Sequence, residues 1–235
     1  MKFISRKNLN NEPDDFRAYR ETTPGARYNG GNFSVPVLKE RLLNEQGWIC
    51  AYCMTRISSV EKAHVEHYCP QEACPERDLD YMNLFAVCNG LTDSYPEKES
   101  FHHCDKTQGE AGKMNGKVKL QELDPAHPSC ESLVAYSLSG SILSADNNEQ
   151  VEHELNKALN LNNKALVQRR KSAMDRAMEL MKKEQPVGQW RKAFLEKHRQ
   201  EWLELHKRKG KEIFRPYCMV GVWFIDKLLT KPKYQ

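Results

Sequence analysis

The feature that most limits what this chain can fold into is the placement of its sulfur and imidazole. Six of its eight cysteines and four of its eight histidines fall between residues 48 and 112. Apolar runs in that stretch are short (Met54–Ile57, Ala63–Val65, Leu84–Val87), with turn residues between them. This pattern predicts a small hairpin-and-helix module held by metal rather than by a large core. The sharpest local signal is Cys50-Ala51-Tyr52-Cys53. Two thiolates at this spacing in a tight turn can chelate one zinc ion, and a closed tetrahedral site then needs two more ligands. Cys69, Cys74, Cys88, His102, His103 and Cys104 are the candidates. A redox role for the pair would call for a βαβ context, which the flanking sequence does not offer.

Three more clusters follow in order. Val65-Glu66-His67-Tyr68-Cys69-Pro70 sets a carboxylate beside an imidazole after an apolar alternation. Neighbours on a strand point to opposite faces, but at a strand end the chain can turn enough for both to reach one site. The carboxylate can then bind a hard cation while the imidazole serves as general base. Asp80-Tyr81-Met82-Asn83-Leu84 reads as an N-cap at Asp80, with Leu84 and Val87 buried. His102-His103-Cys104-Asp105-Lys106-Thr107-Gln108-Gly109 crowds a thiol, two imidazoles and a carboxylate where a helix can begin.

Taken together, CAYC, VEHYCP, LDYMNLFAVC and HCDKTQG resemble the HNH nuclease superfamily over about residues 48–112. The MKFISR start, the stretch Leu159-Asn160-Leu161-Asn162 and the apolar segment near Met219 are similar to one branch, the PtuB-like subunits of Septu-type and retron-associated antiphage systems. The resemblance implies an α+β fold: a zinc-stabilised ββα-metal module embedded in a mostly helical chain. It implies His67 as general base, Asn83 as the residue orienting it, and Glu66 and Asp105 as ligands of a catalytic Mg²⁺ or Mn²⁺. Cys50, Cys53, Cys88 and Cys104 would take a structural Zn²⁺. Three positions depart from the family pattern. Asp105 stands where a His or Asn is usual, with His103 as a fallback ligand. Gln108 stands at an often basic position. The second cysteine pair is split by fifteen residues, so Cys69 or Cys74 is the alternative if Cys104 is displaced. The implied activity is hydrolysis of phosphodiester bonds in DNA or in a structured RNA such as tRNA. The implied partners are a PtuA-like ATPase and, in retron systems, a reverse transcriptase with its RNA–DNA product. The competing reading is a non-catalytic zinc scaffold that binds a partner protein or nucleic acid.

Charge divides the chain differently from cysteine. The formal net charge of +4 conceals 20 Lys/Arg against 10 Asp/Glu in residues 151–235, while residues 1–150 are net −6. The basic half is the natural place to meet a polyanion, through Arg169, Arg170 and Lys171 and through Lys207, Arg208 and Lys209. A solvated helical face is the plain alternative for any one of these clusters. Residues 1–47 read as an extended arm followed by a helix capped by Ser34, with Pro36 in its first turn and Gly47 ending it. Residues 48–112 form the nuclease-like module and 113–150 a turn-rich connector with a strand pair split at Ser139-Gly140. Residues 151–235 form basic helices, with Trp190, Trp202 and Trp223 as core anchors. No apolar run approaches the roughly 18 residues of a bilayer span, and the start lacks a stretch of signal-peptide length. A cytoplasmic location is therefore expected, with no membrane partner and no cysteine in a disulfide.

Overall fold

The computed structural model describes residues 1–90, 102–107 and 119–234. Gln108, and the start of the expected connector at 113–118, lie outside the described residues. The architecture is mixed α+β, with helices around three separate two-stranded antiparallel sheets. No described helix is long and apolar enough to cross a membrane.

The first helix, α1 (Asp14–Thr22), lies in the segment expected to be an extended arm. Pro13 sits at its N-cap, and Asp14 and Asp15 occupy the first turn, where carboxylates complement the helix dipole. Phe16 alone anchors it in the core, which is too little periodicity to read from sequence. Helix α2 (Val35–Glu45) follows the expectation: the Ser34 hydroxyl accepts from the Val37 N–H at 3.4 Å, and Leu38, Leu42 and Leu43 are buried. Gly47 ends it at φ +59°, where a Cβ would lie 2.4 Å from the Phe214 ring.

Strands β1 (Ala63–His67) and β2 (Leu84–Cys88) pair antiparallel, with Ala63 opposite Cys88 and His67 opposite Leu84. A two-stranded sheet leaves backbone polar groups on its outer edges, and these need partners when buried. The Gln46 amide supplies them for β2: its Oε1 accepts from the Ala86 N–H at 2.8 Å and its Nε2 donates to the Ala86 carbonyl at 2.7 Å. All five β2 residues are buried. They share one continuous apolar cluster with Phe16, Leu43, Leu166 and Ile225, so burial joins metal chemistry in holding this region.

The expected pair around Gly140 forms as β3 (Val134–Tyr136) and β4 (Ile142–Ser144). Helix α3 (Glu149–His153) runs into a π-helical turn at Glu154–Ala158, and the chain breaks at Asn160 before α4 (Lys164–Glu184). The Glu154 carboxylate lies at the start of the π-helical turn. It is buried and accepts from the backbone N–H groups of Gln121, Glu122 and Leu123 at 2.7–3.1 Å. After Pro186-Val187-Gly188 come α5 (Lys192–Leu203), the hairpin β5 (His206–Arg208) and β6 (Lys211–Ile213), and α6 (Cys218–Leu229). The hairpin was not legible within the basic run, but Lys209 and Gly210 both take positive φ, as a tight turn between twisted strands requires. Trp190 and Trp202 are buried and Trp223 packs at the core edge.

Candidate functional site

Two turns build a cysteine cluster. In the first, the Cys50 carbonyl accepts from the Met54 N–H at 3.1 Å and the Cys50 N–H donates to the Thr55 carbonyl at 2.9 Å. Met54 takes φ +61°, closing a loop that turns Cys50 and Cys53 to one side. The second pair is Cys88, at the end of β2, and Cys104, at φ +55°. Cys104 is placed by its N–H donating to the Leu159 carbonyl at 2.9 Å, and the Asn160 side chain donates to the His102 carbonyl at 2.7 Å. Thus the Leu159–Asn162 stretch ties the second pair to the helical half.

The four sulfurs are buried and lie within 4.8 Å of one another, with Cys50–Cys104 at 3.8 Å and Cys53–Cys88 at 3.7 Å. The group can hold one metal ion such as zinc, because four converging thiolates match its tetrahedral preference. The protonation pattern fits a cation centre. Burial opposes charge on Cys53, but the Cys104, Cys50 and Cys88 thiols bond to it and hold it well below the ordinary thiol range. Burial and the same neighbours push Cys104 well above that range. Three thiols around one thiolate is the arrangement a divalent cation relieves. His103, the fallback ligand for the carboxylate site, belongs here instead. Its Nδ1 lies 3.2 Å from the Cys104 sulfur and 3.8 Å from that of Cys88.

Cys69 and Cys74, the alternatives for this cluster, are joined to each other in a disulfide. This corrects the expectation that no cysteine is so paired. The Pro70 carbonyl accepts from both Ala73 and Cys74 N–H groups at 2.9 Å, and this tight turn brings the two Cα atoms to 5.9 Å. A separation of five residues gave no periodic signal by which to read it.

Glu66 and His67 sit at the end of β1 and are both buried. They face different neighbours, as alternation on a strand dictates. The Glu66 carboxylate accepts from the Tyr52 hydroxyl at 3.4 Å, inside the CAYC turn. Burial pushes the Tyr52 phenol well above its ordinary range, and the negative charges of Glu66 and then Asp105 add to the shift. Asp105 opens a helical turn over residues 105–107. His67 instead packs edge-on against Tyr28 at 4.9 Å between ring centres, and its Nε2 donates to the Asp78 carbonyl at 2.9 Å. That bond places the ring proton on Nε2 and makes Nδ1 the basic nitrogen.

Asp78 is the residue the sequence did not point to. Besides holding His67 through its carbonyl, its carboxylate lies 3.5 Å from His67 Nε2 and accepts from the Tyr28 N–H at 2.9 Å and from the Gln71 amide. Asn83 acts one step further back than expected. Its Oδ1 accepts from the Cys69 N–H at 2.8 Å, and its Nδ2 donates to the carbonyls of Cys69 at 3.0 Å and Arg77 at 3.2 Å. Asn83 therefore shapes the 68–80 loop, and the loop presents Asp78 to the imidazole.

The basic residues divide. Arg170 is buried, donating to the carbonyls of Gly140 at 2.6 Å and Leu161 at 2.7 Å. It is a structural bolt rather than the contact residue expected, because its position on α4 faces inward. Lys171 is exposed and paired with Asp175 one turn on. Lys207, Arg208 and Lys209 share the exposed β5–β6 hairpin. Arg169 lies elsewhere, beside the Tyr217 hydroxyl. No family model and no curated protein matches this chain.

Proposed function

We propose that the chain is a metal-dependent nuclease of the HNH kind, acting on phosphodiester bonds of DNA or structured RNA. The observation that carries this reading is the held imidazole of His67 at the end of β1, one residue from the buried Glu66 carboxylate that accepts from the Tyr52 hydroxyl. The order strand, loop, strand, helical turn supports a ββα-metal arrangement, and the four buried cysteines beside it support a structural zinc.

In this reading His67 Nδ1 takes the proton from the attacking water, while the Asp78 carbonyl keeps the other ring nitrogen protonated and the ring oriented. Asn83 holds the loop that makes this possible. Glu66 and Asp105 would hold a hard divalent cation, Mg²⁺ or Mn²⁺, which supplies charge neutralisation at the phosphate and leaving oxygen when bound. Tyr52 stays a neutral donor at any physiological pH and orients Glu66. A PtuA-like ATPase, and a reverse transcriptase with its RNA–DNA product, belong to the same proposal as partners that restrain or direct cleavage.

The competing reading, a non-catalytic metal scaffold, draws on a specific observation: Glu66 and His67 are both buried and contact different neighbours. The two separate cleanly. Wild type and His67→Ala are assayed with the co-expressed ATPase, in Mg²⁺ or Mn²⁺, on DNA and on total tRNA. The nuclease reading expects cleavage by wild type and a loss of about a hundredfold or more in the variant, with bound metal at the cysteines unchanged. Equal digestion of both pools by the two proteins would assign the cutting to something else.

A further inference from the structure

Away from the cysteine module, a cleft of about 440 Å³ opens between α4, the end of α5 and the segment entering α6. Arg169 and Arg176, two helical turns apart on α4, line one wall, and Arg215 and His206 line the other. No carboxylate lines it among the described residues. Neither Arg169 nor Arg215 has a described carboxylate within 4 Å, while Arg176 has Glu179 at 3.6 Å on an exposed flank. Arg169 and Arg215 therefore leave positive charge on facing walls of the cleft with no described carboxylate to offset it, and an anion between them would do so.

The floor is buried. Trp202 is 4% exposed and Tyr217 6%. Gly221 leaves no room for a Cβ, which would lie 2.2 Å from the Trp202 ring. The Arg215 guanidinium stands 5.5 Å over that ring, and its Nε donates to His206 Nε2 at 3.1 Å, which sets its fork direction. Tyr217 holds φ +57°, a conformation costly for a bulky residue. It is secured by its N–H donating to the Met54 carbonyl at 3.1 Å and by its hydroxyl 2.8 Å from that of Thr55. Thr55 Oγ1 in turn lies 3.2 Å from the Cys53 sulfur, so the cleft floor is fastened to the cysteine turn.

We propose that this cleft is a binding site for a phosphomonoester, the terminal phosphate of a nucleotide. Two guanidiniums without carboxylate partners, Arg169 and Arg215, match a dianionic phosphate better than a single phosphodiester charge, and planar forks suit its oxygens bidentately. The volume falls in the range of small-molecule sites, about 300–1,000 Å³, and so admits the attached sugar as well as the phosphate. Trp202 is buried, with Gly221 against it and the Arg215 guanidinium over its ring, so recognition is of phosphate rather than of a stacked base. The site does not depend on the nuclease reading.

The test is calorimetric titration of the full chain with AMP, adenosine, and one oligonucleotide made with and without a 5′-phosphate. AMP is expected to bind, and adenosine at least about tenfold more weakly, the weight of one charge-assisted contact. Arg169→Gln/Arg215→Gln should lose AMP binding, with Arg215→Lys intermediate and the thermal midpoints of all variants close to wild type. Tighter binding of the phosphorylated oligonucleotide than of AMP places the ligand at a nucleic-acid end. Binding of AMP with no preference between the two oligonucleotides makes it a free nucleotide. Equal binding of AMP and adenosine, no binding of any phosphorylated probe, or full AMP affinity in the Arg169→Gln/Arg215→Gln protein overturns the proposal.

Discussion

Lys7 shows how far one buried charge can shape behaviour. Its ammonium is nearly enclosed, 3.3 Å from Glu45 Oε2 and 3.8 Å from the centre of the Tyr81 ring. Burial lowers its pKa to about 8, and Glu45 only partly compensates. The unfolded chain therefore binds the proton more tightly between pH 8 and 10.5, and Lys7 makes stability rise with pH across that window. From pH 8 to pH 10 the gain should be about 2 kcal/mol. Urea midpoints measured at both pH values for wild type and Lys7→Met check this, and an equal slope in the two proteins would refute it. Asn83→Ala is the second residue-scale expectation. It strips three hydrogen bonds, two of them buried, from the 68–80 loop and should cost about 3 kcal/mol. Under the nuclease reading it should also lower the rate, because Asp78 would no longer be held against His67. Asn83 and His67 could be named through the resemblance of the motifs around them. The sequence could not name Asp78, which acts mainly through a backbone carbonyl that every residue type carries.

At the scale of elements, what could be read was whatever announced itself by a cap or a period. Helix α2 had Ser34, Pro36 and a leucine face, and the β3–β4 turn had Ser139-Gly140. Helix α1 had one core residue and no such signal. The Cys69–Cys74 disulfide was missed because a compartment argument outweighed a turn whose geometry no spacing rule encodes. Its effect is local and testable. Closing a loop of five or six residues contributes about 2 kcal/mol by restricting the unfolded chain. Cys69→Ser/Cys74→Ser should lower stability by up to that amount under oxidising conditions and leave it unchanged under reducing ones, as read by denaturation with and without reductant. A variant matching wild type in both conditions would mean the bridge does not form in solution. The edge of β2 offers a sharper case. Gln46→Leu keeps the side chain's bulk but leaves the Ala86 N–H buried without a partner, while the Ala86 carbonyl keeps the Ala51 N–H at 3.2 Å, and should destabilise by about 1–3 kcal/mol.

For the whole molecule, the decisive fact is that the cysteine cluster and the apolar core are not separate supports. Residues from the arm, from β2 and from α4 and α6 belong to one buried cluster that includes Cys50, Cys53, Cys88 and Cys104. The charge split between the halves described the surface well, but it concealed this continuity, since net charge is carried by exposed side chains and a core by buried ones. Two backbone links, Cys104 N–H to the Leu159 carbonyl and Tyr217 N–H to the Met54 carbonyl, cross from the cysteine turns to the helical half beside the Asn160–His102 and Thr55–Tyr217 side-chain bonds. Stripping a bound metal with a chelator should therefore do more than loosen the 48–112 region. Four buried thiols would be left to share their protons, and the turns that position Leu159 and Tyr217 would lose their anchor. The expected outcome is a lower thermal midpoint for the entire chain, in one transition, with near-ultraviolet dichroism from Trp190 and Trp202 fading together with any signal from Tyr52. Cys50→Ser should reproduce it without chelator. Loss of the module's signals at a lower temperature, with the helical half melting later and unchanged, would show instead that the cluster stabilises only its own neighbourhood.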